Sequence, residues 1–201
     1  MDLYDELNKE LTEAGVPQRI FMGKPMESID VLVNTEVSSK PYKDILLSYL
    51  DRLSGNSCEM VVRALTEKDN KDISERLVKL FDRKDLSTNS LWAVGNALNV
   101  IKDKSKVGSY FKICKRTELG MARSELIKYL GSFKTTEIYN LLIDLLSDET
   151  VKAPVIEAIG RSKRPEAIEL LKSLDLEAKS IADKNRLTAV KKLEKAAGNN
   201  G

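Results

Sequence analysis

Asp144 and Asp148 stand one helical turn apart in "IDLLSD", near enough for two carboxylates to share a proton or hold a cation. A second set runs from Arg123, Lys128 and Lys152 through Arg161 to Lys192. It falls on recurring helical segments and suits phosphates or acidic side chains. A third, Trp92, Asn96 and Asn99 in "SLWAVGNALN", recurs at three- and four-residue spacing. Amides beside an indole suit docking rather than bond-making. Beyond these the chemistry thins out. The 201 residues include no histidine, which removes His-based triads, His zinc ligands and His acid–base work. Cys58 and Cys114 are too few for a Cys-rich metal site, and no glycine run has dinucleotide or Walker spacing. The aspartate pair reads more simply as a helix end and a solvated turn, with Asp148 and Glu149 helping to start the next helix. No enzyme activity, catalytic residue, metal or cofactor is expected.

The elements that must carry these residues are helices. Leu, Lys, Glu and Ala recur, while aromatics make up only 5% of the chain. No long alternation of apolar and polar residues is present, so no sheet is expected. Leu3, Leu7, Leu11 and Ala14 predict a first helix, closed by Gly15 and Pro17. "MESIDVLVN" predicts a short second one, and Pro41 opens a third in its first turn, where a missing N–H costs nothing. Helices then come in pairs starting near residues 41, 71, 106, 136 and 165. Each carries an apolar stripe, such as Leu91–Val94–Ala97–Leu98–Ile101, or Leu187, Ala189, Val190 and Leu193 in the last. Within the pairs "ARSELIKYLG" and "VKAPVIEAIG" align, so that Gly131 matches Gly160 at a separation of 29 residues. One short pair cannot bury its apolar faces alone, and a unit recurring every 29 to 35 residues predicts a stacked array. Gly95, Ala97, Ala122, Ala158 and Ala189 would let helices approach closely while Leu and Ile fill the seams.

This unit resembles the HEAT repeat, and more narrowly the short HEAT-like or phycobilisome-lyase-type form. "LLSDETVKAPVIEAIG" carries the resemblance best, through Leu145, Leu146, Asp148, Val151, Lys152, Ala158, Ile159 and Gly160. "ARSELIKYLG" keeps Arg123, Leu130 and Gly131, and "NRLTAVKKLE" keeps Arg186, Ala189 and Leu193; "LWAVGNALNVI" has Leu91 where the family often has Arg. The layout is similar to uncharacterised bacterial HEAT-repeat proteins of this size. The resemblance implies an all-α, right-handed α-solenoid of about five helix pairs (residues 41–201) behind an N-terminal helical cap (residues 1–40), forming one continuous domain.

For function, the resemblance implies that second helices line a concave face. That makes Trp92, Asn96, Asn99, Arg123, Lys128 and Lys152 the candidate partner-binding residues. Structural roles compete with this: Trp92 packing beneath a neighbouring pair, and Arg123 or Lys152 pairing with an acidic turn such as Asp148 or Glu149. The basic loop "GRSKRPE" (160–166) is either a contact or a solvated turn. The expected function is a nonenzymatic protein-binding scaffold or adaptor, with regulatory or immunity-type inhibition among its forms and another protein as partner. The alternative is a nucleic-acid-binding protein or HEAT-like DNA glycosylase with a basic concave groove. Its motive is charge: residues 1–86 sum to −4 and residues 87–201 to +6. The stretch "MDLYDELNKELTEAG" reads as an acidic amphipathic helix rather than a signal peptide, and no run approaches about 18 apolar residues, so a cytoplasmic monomer with reduced, buried thiols is expected.

Overall fold

The computed structural model describes residues 2–198. It is all-α apart from one short hairpin, and its described residues divide into two compact units, Met1–Asp103 and Lys104–Gly201. No described helix is long and apolar enough to cross a membrane.

In the first unit, Asp2 caps α1 (Leu3–Glu13) by accepting from the N–H groups of Tyr4 and Asp5. Leu7 and Leu11, one turn apart, bury its apolar side, and Gly15 turns the chain at φ +93. The stretch beyond Pro17 departs from the expectation of no sheet. Ile20–Phe21 (β1) and Lys24–Pro25 (β2) pair antiparallel, Ile20 with Pro25 and Phe21 with Lys24. Two-residue strands are too short to show alternation in sequence. The signal was the turn: Met22 and Gly23 both have positive φ, 50 and 78, which suits the twist of a two-residue hairpin loop.

The short helix expected over "MESIDVLVN" is present as α2 (Ser28–Asn34). Its own N-cap residue makes no capping bond, so α1 supplies one: Asn8 accepts from the Ile29 N–H at 3.0 Å. Pro41 lies in a 3-10 turn, Lys40–Tyr42, and α3 (Lys43–Leu50) begins just after it rather than at the proline. The unit continues with α4 (Gly55–Ala64), α5 (Ser74–Lys79) and α6 (Thr88–Ile101). Packing runs α1 against α2 and α3, α2 and α3 against α4, then α4 and α5 against α6. The stripe Leu91–Val94–Ala97–Leu98–Ile101 is buried as its spacing predicts. Polar side chains tie successive helices: Arg76 donates to the Leu47 carbonyl at 2.7 Å, and Arg83 to those of Leu50 and Leu53 at 3.2 and 2.8 Å. Glu67 accepts from the Ser39 N–H at 2.6 Å.

The second unit comprises α7 (Val107–Cys114), α8 (Ser124–Leu130), α9 (Thr136–Asp144), α10 (Lys152–Arg161), α11 (Ala167–Lys172) and α12 (Ile181–Gly198). Here α7 packs on α8, α8 and α9 on α10, and α10 and α11 on α12. The two glycines that match at 29 residues do the same job. A Cβ on Gly131 would lie 2.5 to 2.8 Å from atoms of Ala158, and one on Gly160 2.7 to 2.8 Å from Ala189. Only hydrogen fits at these crossings. In α12 one expectation fails. Leu187 is 55% exposed, although Ala189 and Leu193 are buried. Residues two apart on a helix point about 200° away from each other, so Leu187 and Ala189 cannot share a face.

Candidate functional site

Of the residues singled out by spacing, three lie on α6. Ser87 caps this helix by accepting from the Ser90 N–H at 3.1 Å, and Lys102 ends it in the left-handed conformation. Trp92, Asn96 and Asn99 are all half-buried, beside the fully buried stripe. The side chains of Trp92 and Asn96 make no hydrogen bond within the described residues, so the indole N–H and one amide are left for solvent or a partner.

Arg123 is not a surface contact. It is fully buried, with 0% exposure, on the turn leading into α8. Its Nη2 donates to Asp148 at 2.5 Å, its Nη1 to the Cys114 carbonyl at 3.0 Å and its Nε to the Gly120 carbonyl at 3.0 Å. The competing role proposed for it, an ion pair with the acidic turn before α10, is the one observed. Burial works against the charge on Asp148, yet hydrogen bonds from Thr150 and Arg123 outweigh it and hold the carboxyl below its ordinary range. A carboxylate held ionised this way is committed to Arg123 and Thr150 rather than poised to donate a proton. Lys128 pairs with Glu125 at 2.7 Å, and Lys152 pairs with Glu149. Arg161 pairs with Glu157, and Arg186 with Asp183 at 2.6 Å. The cation row from Arg123 onward is therefore largely neutralised by carboxylates of its own unit.

Neither thiol is poised for reaction. Both cysteines are free and buried. Burial pushes the Cys114 thiol far above its ordinary value, and pushes Cys58 up as well, against a smaller pull from nearby Arg83. Among the described residues no group of three or more His, Cys, Asp or Glu side chains could hold a metal ion.

The surface feature that spacing did not reveal is the hairpin tip. Ile20, Phe21 and Met22 are 75, 67 and 87% exposed, three consecutive large apolar side chains in water. Arg19 and Lys24 flank them, and neither has a carboxylate partner among the described residues. A recess of about 1100 Å³ opens beside the tip, with Pro25, Met26 and Asp30 in its walls. The readable sign was "RIFMGKP" itself: an apolar triplet directly before a turn glycine.

The chain matches no protein-family model, and comparisons with curated proteins and with solved structures give no match.

Proposed function

We propose that this chain is a nonenzymatic protein-binding module, a scaffold or adaptor whose partner is another protein. We further propose that its helix pairs are HEAT-like units stacked in series as a right-handed solenoid. Support for the stacking comes from polar links at about one repeat's separation. Arg76 reaches Leu47 across 29 residues, Arg83 reaches Leu53 across 30 and Arg161 reaches Lys128 across 33. In the second unit the matched glycines add crossings of the same kind.

The observation that carries the binding function is the exposed Ile20–Phe21–Met22 tip. Apolar area of this kind in water weakens a fold's solubility and marks a contact surface. At about 25 cal/mol per Å², burying a Phe and a Met side chain supplies several kcal/mol towards association. Trp92 and Asn96 offer a second contact on the same unit. The nucleic-acid alternative loses ground because five bases of the row it needs, Arg123, Lys128, Lys152, Arg161 and Arg186, are committed to internal ion pairs, which leaves no continuous basic track.

Site-specific photocrosslinking tests the proposal. Benzoylphenylalanine is placed at Phe21, at Trp92 and, as a control, at exposed Lys184. Irradiation in the native cells should give one discrete protein adduct from position 21 and none from position 184. Absence of an adduct at 21, or the same smear at all three positions, would remove the tip as a docking element.

A further inference from the structure

The basic loop "GRSKRPE" is not absorbed by the docking surface, and its surroundings are specific. Gly160 holds α10 so close to Ala189 of α12 that no side chain fits between them. Asn185 donates to the Ala153 carbonyl at 2.9 Å near the start of α10, so the two helices run parallel. Helix α10 ends at Arg161, while α12 runs on from Ala189 to Gly198, about 13 Å further at 1.5 Å per residue. The overhang leaves a recess of about 440 Å³, lined by Gly160, Arg161, Lys163, Lys192, Lys195 and Ala196.

Four of those six residues are cations and none is an acid. Lys192 and Lys195 are three apart on α12 and so share a face. Arg161 is committed to Glu157, but Lys163, Lys192 and Lys195 have no carboxylate partner among the described residues. The nearest acid on the same turn, Glu194, pairs with Lys172 at 3.1 Å. This contrasts with the rest of the cation row, in which each of Arg123, Lys128, Lys152 and Arg186 is neutralised internally. Helix C-termini favour nearby cations, which explains one or two basic residues here. It does not explain three unpaired lysines lining one concavity, where their mutual repulsion favours an anion.

We propose that this recess binds a compact polyphosphate group. Three unneutralised lysines match a tri- or tetra-anion better than a single carboxylate. Lysine ammonium groups, unlike a planar guanidinium fork, bind phosphate as point charges without demanding one orientation. No aromatic side chain lines the recess, so it has nothing on which to stack a nucleobase. The paired bases beyond it offer no continuous track for a long phosphate backbone. The recognised chemistry is thus linked phosphates, whether free or carried on a nucleoside.

Calorimetric titration of the full chain with sodium tripolyphosphate at low salt tests this. Saturable binding is expected, at least about tenfold weaker in Lys192→Gln/Lys195→Gln and in Lys163→Gln. Lys184→Gln, on exposed surface outside the recess, should bind as the wild type does. A nucleoside triphosphate should match tripolyphosphate within about threefold, because the base adds no contact. Thermal melting of each variant separates lost binding from lost fold. The proposal is overturned by absence of binding, or by equal weakening in Lys184→Gln. A 20-nucleotide single strand binding far more tightly than tripolyphosphate would overturn it too, in favour of an extended phosphate track.

Discussion

Met1–Asp103 and Lys104–Gly201 face the same task, joining short helix pairs whose apolar sides cannot be hidden one pair at a time, and they use different means. The first unit leans on partly buried arginines that reach backward to carbonyls at helix ends, as Arg83 does to Leu50 and Leu53. The second has backward-reaching arginines too, Arg161 to Lys128 and Arg164 to Lys134, but it also sinks one arginine completely, Arg123, and lets helix backbones touch through Gly131–Ala158 and Gly160–Ala189. Their surfaces differ as well. The first holds 14 Lys/Arg against 18 Asp/Glu and displays an apolar hairpin tip; the second holds 19 against 13 and displays a lysine-lined recess.

The largest effect that sharpens this contrast is expected at the two arginines. Arg123→Ala strips a buried partner from Asp148 and two backbone carbonyls, and should cost about 3 kcal/mol in urea unfolding. Arg83→Ala, whose side chain keeps 22% exposure and so some access to water, should cost less, about 1 to 2 kcal/mol. Because each unit holds one buried thiol, pulsed labelling reads them separately. Cys114 should become more reactive in Arg123→Ala while Cys58 stays as in the wild type. Equal costs, or equal labelling of both thiols, would break the distinction.

Next come the glycines. Gly131→Ala and Gly160→Ala should each lose about 2 kcal/mol, since the added methyl must displace a neighbouring helix. Gly108→Ala in α7, where a Cβ meets nothing within 4 Å, should gain up to about 0.5 kcal/mol from lower backbone entropy in the unfolded chain. Melting temperatures of the three variants decide between a steric joint and a general dislike of change.

The smallest effect is in acid. Asp148 is held below its ordinary range in the fold, so its contribution to stability is complete above the unfolded carboxylate pKa, about 3.9. It disappears as pH falls through the lower folded value. Glu67 behaves alike in the first unit: burial opposes its charge, but hydrogen bonds from Ser39 and Ser38 and the charge of Lys40 lower its pKa. Asp148→Asn should flatten the acid limb of the stability curve for Cys114 protection, and Glu67→Gln that for Cys58. Unchanged slopes would show that neither carboxylate carries the acid response.

Much of the helical frame is legible in the sequence because apolar spacing of three and four dictates it: the stripes of α6, α9 and α10 are buried as their sequence implies. The recurrence of Gly131 at Gly160 is visible there too, although its steric reason needs the crossings with Ala158 and Ala189. The candidate site is less legible. Arg123 looks like any basic residue at a helix start; pairing with the acidic turn at Asp148 is among the roles its spacing suggests, but nothing local tells that the side chain will be buried completely. Leu187 belongs with the stripe by composition, though its angle on the helix sets it apart. The hairpin escapes a search for periodicity because strands of two residues carry no period. Its only marks are a glycine permitting positive φ and an apolar triplet whose exposure no local rule forecasts.

The docking claim is tested most directly by Phe21→Asp/Met22→Asp, read two ways at once: affinity capture, without crosslinking, of the partner that the position-21 adduct identifies, and thermal unfolding. Both side chains stand in water, so the account predicts capture lost and a melting temperature within about 1 °C of the wild type. Retained capture would contradict it, and so would a melting temperature lowered by several degrees, which would place the tip in the core rather than on a contact surface.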